Sequence, residues 1–206
     1  MAETLTAATQ ALAGTNCWNM AGGYHHASPQ NAEGFCIYND ITITHHELVS
    51  KGLLPASDKI LIVDIDAHQG NGNAYYFMEN SNVTPLDIYN DDIYPRMPSP
   101  KARVDIGVPL HSGANGAHYL NALHNGLNQI KGTYRLAFVI AGTDVLAVDP
   151  LGGLDLTMDD CVARDKVLLE KLRNLSIPFV VLGGGGYSKD SAKVISKSIA
   201  ALYQEK

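Results

Sequence analysis

The chain has 206 residues, 46% of them hydrophobic, and a formal net charge of −6. That length can bury one sizeable core, so a single domain over residues 1–206 is expected. No stretch approaches the roughly 20 apolar residues of a membrane span, and no Lys/Arg cluster is present to hold phosphates, so neither a membrane nor nucleic acid is an expected partner.

The opening MAETLTAATQALAG lacks the basic start and apolar block of a secretory leader. Cys17, Cys36 and Cys161 are scattered and include no CxxC, which argues against a disulfide framework and against a thiolate zinc site. A reducing compartment is expected, the cytoplasm, or the nucleus in a eukaryotic host.

Residues 2–13 are rich in Ala, Thr and Leu and read as a helix ending near Gly14. Asn16–Met20 reads as a short strand, followed by Gly22-Gly23 and then His25-His26. The spacing of Ile37, Ile41, Thr44 and Leu48 predicts a helix over 37–51 that stops at Gly52, with His45-His46 as a surface pair. A strand over 60–66 precedes a helix over 73–79 and a strand over 83–88, where Pro85 suggests an edge or irregular position. Residues 89–103, rich in Pro and Asp, read as a loop. A strand over 104–109, a helix over 116–131 and a strand over 135–141 come next. Thr157 caps a helix reaching Asn174, a strand over 177–182 runs into four glycines, and a helix over 191–203 follows. This alternation predicts a three-layer α/β/α fold with a mainly parallel sheet.

The chain is organised around KILIVDIDAHQGNGN, residues 59–73. Ile60–Val63 has the composition of a strand buried on both faces. Asp64, Asp66 and His68 follow at alternate positions, and a continuing strand would point all three the same way. Buried carboxylates need a partner, and a cation is the simplest. Asp144 in AGTD and the tetraglycine with Tyr187 also fall at carboxyl ends of predicted strands, where ligands bind in such folds. Two carboxylates and one imidazole suit a catalytic zinc, which assigns Asp66, His68 and Asp144 to the metal and leaves Asp64 to orient an imidazole. That chemistry is hydrolysis of an amide or ester. His25-His26 would provide the base and acid, and Tyr187 would donate to an oxyanion. Gly34, Phe35 and Tyr94 are either ordinary packing or the wall of a narrow apolar channel.

GGYHHA (22–27), EGFCIYND (33–40), DIDAHQGNG (64–72), AGTDVLAVDPLGG (141–153) and GGGGY (183–187) resemble successive signature blocks of the histone deacetylase family, most closely its class IV branch. The resemblance implies the arginase/deacetylase fold, N-terminally truncated relative to the family domain, and zinc-dependent removal of acyl groups from lysine or a similar amine. By matching position it implies Asp66, His68 and Asp144 as zinc ligands, His26 as base and acid, and His25, held by Asp64, as electrostatic partner. Tyr187 would polarise the carbonyl, Phe35 and Tyr94 would flank the channel, and Leu151 would lie near its mouth. A structural K+ or Na+ would sit at Asp64, Asp66, His68, Asp87 and the backbone of Ile88. The expected partner is an acyl-lysine peptide or small acylated amine. Asn71 stands where many members carry a carboxylate partner for His26, which should make that imidazole less basic. Asn16–Met20 would border a sheet edge protected by residues 2–13 or by another subunit, the latter making a homo-oligomer. Two alternatives stay open: a two-metal ureohydrolase of the same fold, disfavoured by Gln69-Gly70 where a second Asp is needed, and a non-catalytic acyl-lysine-binding module.

Overall fold

The computed structural model describes residues 2–203. In chain order the elements are α1 (Ala2–Leu12), β1 (Cys17–Asn19), α2 (Asp40–Ser50), β2 (Ile60–Asp64), α3 (Asn71–Tyr76), β3 (Val83–Asn90) and α4 (Pro98–Arg103). They continue with β4 (Ile106–Leu110), α5 (Gly116–Leu127), β5 (Leu136–Ile140), α6 (Met158–Asn174), β6 (Phe179–Leu182) and α7 (Ser191–Tyr203). The six strands form one sheet in the order β1-β6-β5-β2-β3-β4, with every pairing parallel. No described helix is long and apolar enough to cross a membrane.

The three layers follow from the strands' composition. Leu61 and Val63 of β2 face one apolar core with Ala137 and Val139 of β5, and α5 and α6 cover them through Leu123, Leu127, Leu168 and Leu172. Ile60 and Ile62 face the other way with Phe138, Ile140 and Val180, under Ala7, Ala8 and Ala11 of α1 and Ile41 and Leu48 of α2. Apolar side chains on both faces make a strand read as an unbroken hydrophobic run, which is why β2, β5 and β6 are evident in the sequence.

Five expectations need correction. Strand β2 stops at Asp64, so residues 65–68 reach the site through bends rather than by strand alternation. Helix α2 begins at Asp40, because the Asn39 side chain caps it by accepting from Thr42 N at 3.0 Å. The loop over 89–103 contains α4, with Pro98 at its start. Pro85 lies in an interior strand, but β4 joins β3 only from Leu86 onward, so only β2 flanks the proline. His45, expected at the surface, packs edge-on against Phe77 with ring centroids 5.4 Å apart.

Strand β1 is an outer strand of the sheet, as Asn16–Met20 was expected to be. Helix α1 packs beside it, tied by Asn19 Nδ2 donating to Thr4 Oγ1 at 3.1 Å, with Ala7, Ala8 and Ala11 against the sheet face.

Candidate metal centre and active site

Strands β2 and β5 are neighbours at the point where the strand order reverses: β3 and β4 extend one way from β2, β6 and β1 the other. A crevice forms there outside the carboxyl ends. Asp66 leaves β2 and Asp144 leaves β5 into that crevice, and His68 joins them. One ligand atom from each of Asp66, His68 and Asp144 lies within 4.8 Å of the others. His68 Nδ1 is 2.8 Å from Asp144 Oδ2 and 3.2 Å from Asp66 Oδ1.

Backbone amides hold both carboxylates. Gly185 N donates to Asp66 Oδ2 at 2.7 Å, His68 N to Asp66 Oδ1 at 2.9 Å, and Ala67 N to Asp144 Oδ1 at 2.9 Å. The tetraglycine has its reason here: a Cβ on Gly185 would lie 2.7 Å from Asp144 Oδ2 and 2.8 Å from Asp66 Oδ2.

Burial and mutual contact shift every ionisable group of the cluster. Burial opposes charge on His68, but its bonds to Asp144 and Asp66 raise the imidazole to about 10. Burial and the charge of Asp66 push Asp144 up to about 7. Burial also works against Asp66, yet neighbouring His25 and the bond from His68 hold its carboxyl below the usual range.

His25 and His26 stand beside this cluster in different environments. His25 Nδ1 is 2.7 Å from Asp64 Oδ2 and its Nε2 is 3.8 Å from Asp66 Oδ1. Burial disfavours its charge, but Asp64 and Asp66 outweigh that and hold it well above an ordinary imidazole. His26 Nδ1 meets the amide oxygen of Asn71 at 2.7 Å. Burial, and then the charge of His25, push His26 down to about 3, the direction expected for an imidazole lacking a carboxylate partner. One pair of adjacent histidines thus holds one charged ring and one neutral ring.

His25, His26, Gly34, Phe35, Gly185 and Tyr187 line a pocket of about 150 Å³. A Cβ on Gly34, at φ 55°, would enter the His26 ring, so only glycine lets this turn lie flat on it. Phe35 follows at φ 62°, a strained backbone for a bulky residue, and its exposed ring rests 5.8 Å from that of Tyr187. Tyr94 presents its edge to His26 at 5.1 Å. Burial and the charges of Asp66 and Asp144 raise the Tyr187 phenol above its ordinary value. Leu151 is exposed in a turn where its N donates to Asp149 Oδ1 at 2.9 Å. At the far side of Asp64, Asp87 Oδ2 accepts from Gly70 N at 2.9 Å. Its buried Oδ1 has no hydrogen-bond partner among the described residues. Burial and Asp64 raise its carboxyl well above normal.

Three contributors were missed in the sequence. Asp149 Oδ2 accepts from Tyr187 N at 2.7 Å and so ties the Tyr187 turn to the Leu151 turn. Glu33 contacts both Asn71 and Tyr94. Arg164, wholly buried, donates to the carbonyls of Ile65 and Gly142. Only Arg164 carried a signal, being a cation on the face of α6 that also carries Cys161, Leu168 and Leu172.

The chain matches the model of the histone deacetylase domain over residues 1–203. It is 35% identical over 189 residues to histone deacetylase 2 of Arabidopsis thaliana, covering 91% of this chain and 48% of that protein. Identity to acetoin utilization protein AcuC of Staphylococcus aureus is 30% over 187 residues, covering 84% of this chain and 46% of that one. The solved structure of an HDAC homologue complexed with SAHA aligns at TM-score 0.84 and 25% identity, covering 98% of this chain and 56% of that chain. An HDAC homologue from Aquifex aeolicus shares the fold at TM-score 0.84 and 24% identity, again over 98% of this chain and 56% of the other. The chain spans about half the length of these relatives. With nearly every residue inside the matched domain and the same sheet beneath it, this chain belongs to the histone deacetylase domain family.

Proposed function

We propose that the chain is a zinc-dependent hydrolase that removes acetyl or longer acyl groups from the side-chain amine of lysine or a related amine. The observation that carries this reading is the convergence of Asp66, His68 and Asp144 beside one neutral and one charged histidine and a protonated phenol. One imidazole and two carboxylates fit zinc, and the ion would polarise the scissile carbonyl and lower the pKa of water. The chain's own residues do the rest. His26 keeps its proton on Nδ1 toward Asn71 and offers Nε2 to take one from the attacking water, then returns it to the leaving nitrogen. His25, charged against Asp64, stabilises the negative charge that develops as water attacks the carbonyl, and the Tyr187 hydroxyl donates to the carbonyl oxygen where that charge collects. Phe35 and Tyr94 flank an entrance suited to a linear side chain, with Leu151 near its mouth. The buried, unpartnered Asp87 oxygen beside Asp64 fits a monovalent cation, K+ or Na+, held together with the carbonyl of Ile88.

The test is hydrolysis of acetyl-lysine and long-chain acyl-lysine peptides by purified protein. Removing metal with a chelator should abolish turnover, and one zinc per chain should restore it. A manganese pair would favour the ureohydrolase, and inert zinc-loaded protein that still binds the peptide would favour the binding module.

Zinc uptake has a defined pH dependence. Metal-free His68 keeps its proton up to about 10 and Asp144 up to about 7, and both protons must leave for the ion to bind. Raising pH removes these competitors, so apparent affinity should climb about tenfold per pH unit above pH 7 and more steeply below it. Competition against a chromophoric chelator from pH 6 to 8 measures this, and a flat profile contradicts it.

A further inference from the structure

Asn71 serves His26 in only one of its two amide orientations. A carboxylate accepts through either oxygen, whereas an amide accepts through Oδ1 and only donates through Nδ2. Turned over, Asn71 would press an N–H against Nδ1 and drive the histidine proton to Nε2, the atom that must stay empty in a base. Asn71 is wholly buried, so bulk water does not make the choice. Glu33 makes it. Its Oε1 accepts from Asn71 Nδ2 at 3.1 Å, and its Oε2 accepts the Tyr94 hydroxyl at 2.7 Å. Both Glu33 oxygens accept here, so the one facing Asn71 demands Nδ2 on its own side and sends Oδ1 to His26. Glu33 is itself fixed, because Cys36 N donates to its carbonyl at 2.8 Å across the turn that carries Gly34 and Phe35.

We propose that Glu33 is a positioning residue that supplies, one side chain removed, the carboxylate Asn71 lacks, and that it thereby fixes the proton of His26 on Nδ1. The same carboxylate anchors Tyr94, so one group couples the entrance wall to the base. The catalytic consequence rests on His26 acting as the base in the proposed deacylation; the proton placement does not.

Two measurements test it. The first compares wild type, Glu33→Ala and Glu33→Gln on acetyl-lysine peptide, each also in an Asn71→Asp background. Glu33→Ala should lower kcat about tenfold or more, within the range for a group that orients an active-site side chain, with a smaller change in KM. Glu33→Gln should recover most of the loss, since its amide oxygen still accepts from Asn71. In the Asn71→Asp background the penalty of Glu33→Ala should shrink to about twofold or less, because a carboxylate needs no orienting. An equal penalty in both backgrounds overturns the proposal. The second measurement reads the histidine tautomers of metal-free protein by long-range proton–nitrogen NMR, with His26 assigned by its loss in His26→Ala. Wild type should show His26 protonated on Nδ1, and Glu33→Ala should show a mixture. An unchanged tautomer overturns the proposal. Should wild type turn over no substrate at all, the functional reading fails and this spectrum alone decides the role of Glu33.

Discussion

Tyr187→Phe should lower kcat about a hundred- to a thousandfold while KM stays within a few-fold, the loss typical of removing one preorganised donor to an oxyanion. The substitution deletes one oxygen and keeps the ring, so its 5.8 Å contact with Phe35 survives. The backbone amide of Tyr187 remains bonded to Asp149, and the turn keeps its shape. Burial and the charges of Asp66 and Asp144 raise the phenol above its ordinary value, so it would stay protonated and available as a donor near neutral pH. His26→Ala should cost a comparable hundred- to ten-thousandfold, through loss of the proton acceptor. Steady-state kinetics with acetyl-lysine peptide, normalised to zinc content, check both. Full activity in Tyr187→Phe would remove the oxyanion role.

Arg164→Leu should destabilise the fold by about 3–5 kcal/mol, the cost of breaking a buried ion pair from one side. The guanidinium contacts Asp165 through Nε at 2.9 Å and Nη2 at 2.8 Å, and both residues are buried. Asp165 also accepts from Ser198 at 2.6 Å, so the pair ties α6 to α7. Leucine would leave that carboxylate without its cation in the core, remove the Arg164 donor from the Gly142 carbonyl and leave the Ile65 carbonyl with the Tyr119 hydroxyl. A loss of that size corresponds to a melting temperature lower by about 10 °C for a chain of this length. The second consequence is local. Arg164 Nη1 bonds the carbonyl of Ile65 at 3.0 Å and that of Gly142 at 2.7 Å, one residue before Asp66 and two before Asp144. Tyr119 reinforces the first of these at 3.1 Å. Zinc affinity should therefore fall along with stability in Arg164→Leu. Calorimetry and zinc competition on the same sample measure the two, and unchanged melting would refute the clamp.

What the sequence reveals depends on how far apart the partners lie. Strands β2, β5 and β6 are legible because local composition records burial on both faces, and the start of α6 is legible because its cap, Thr157, acts within its own first turn. The ligand trio is legible because each member interrupts or follows an apolar run with a charge that burial would penalise. Long-range partnerships leave no such record. Glu33 reaches Asn71 across 38 positions, and Arg164 reaches Ile65 across 99. Asn71 therefore reads as a lost carboxylate in the sequence, while the fold delivers one from another segment. The end of β2 is misread for a related reason: alternation places Asp64, Asp66 and His68 on one side, but bends after Asp64 bring Asp66 and His68 together with Asp144 and leave Asp64 to His25.

The metal-binding trio has a consequence for how the molecule comes into being. Ala67 and Asp144, joined at 2.9 Å, are separated by 77 positions, and the strands they follow, β2 and β5, pair across a long intervening stretch of chain. Such a closure bears its entropy before any contact repays it, so it belongs late in the order of events. An ion has nothing to grip in the early collapsed chain. A bound ion would then act as a latch on a finished frame, adding persistence without guiding assembly.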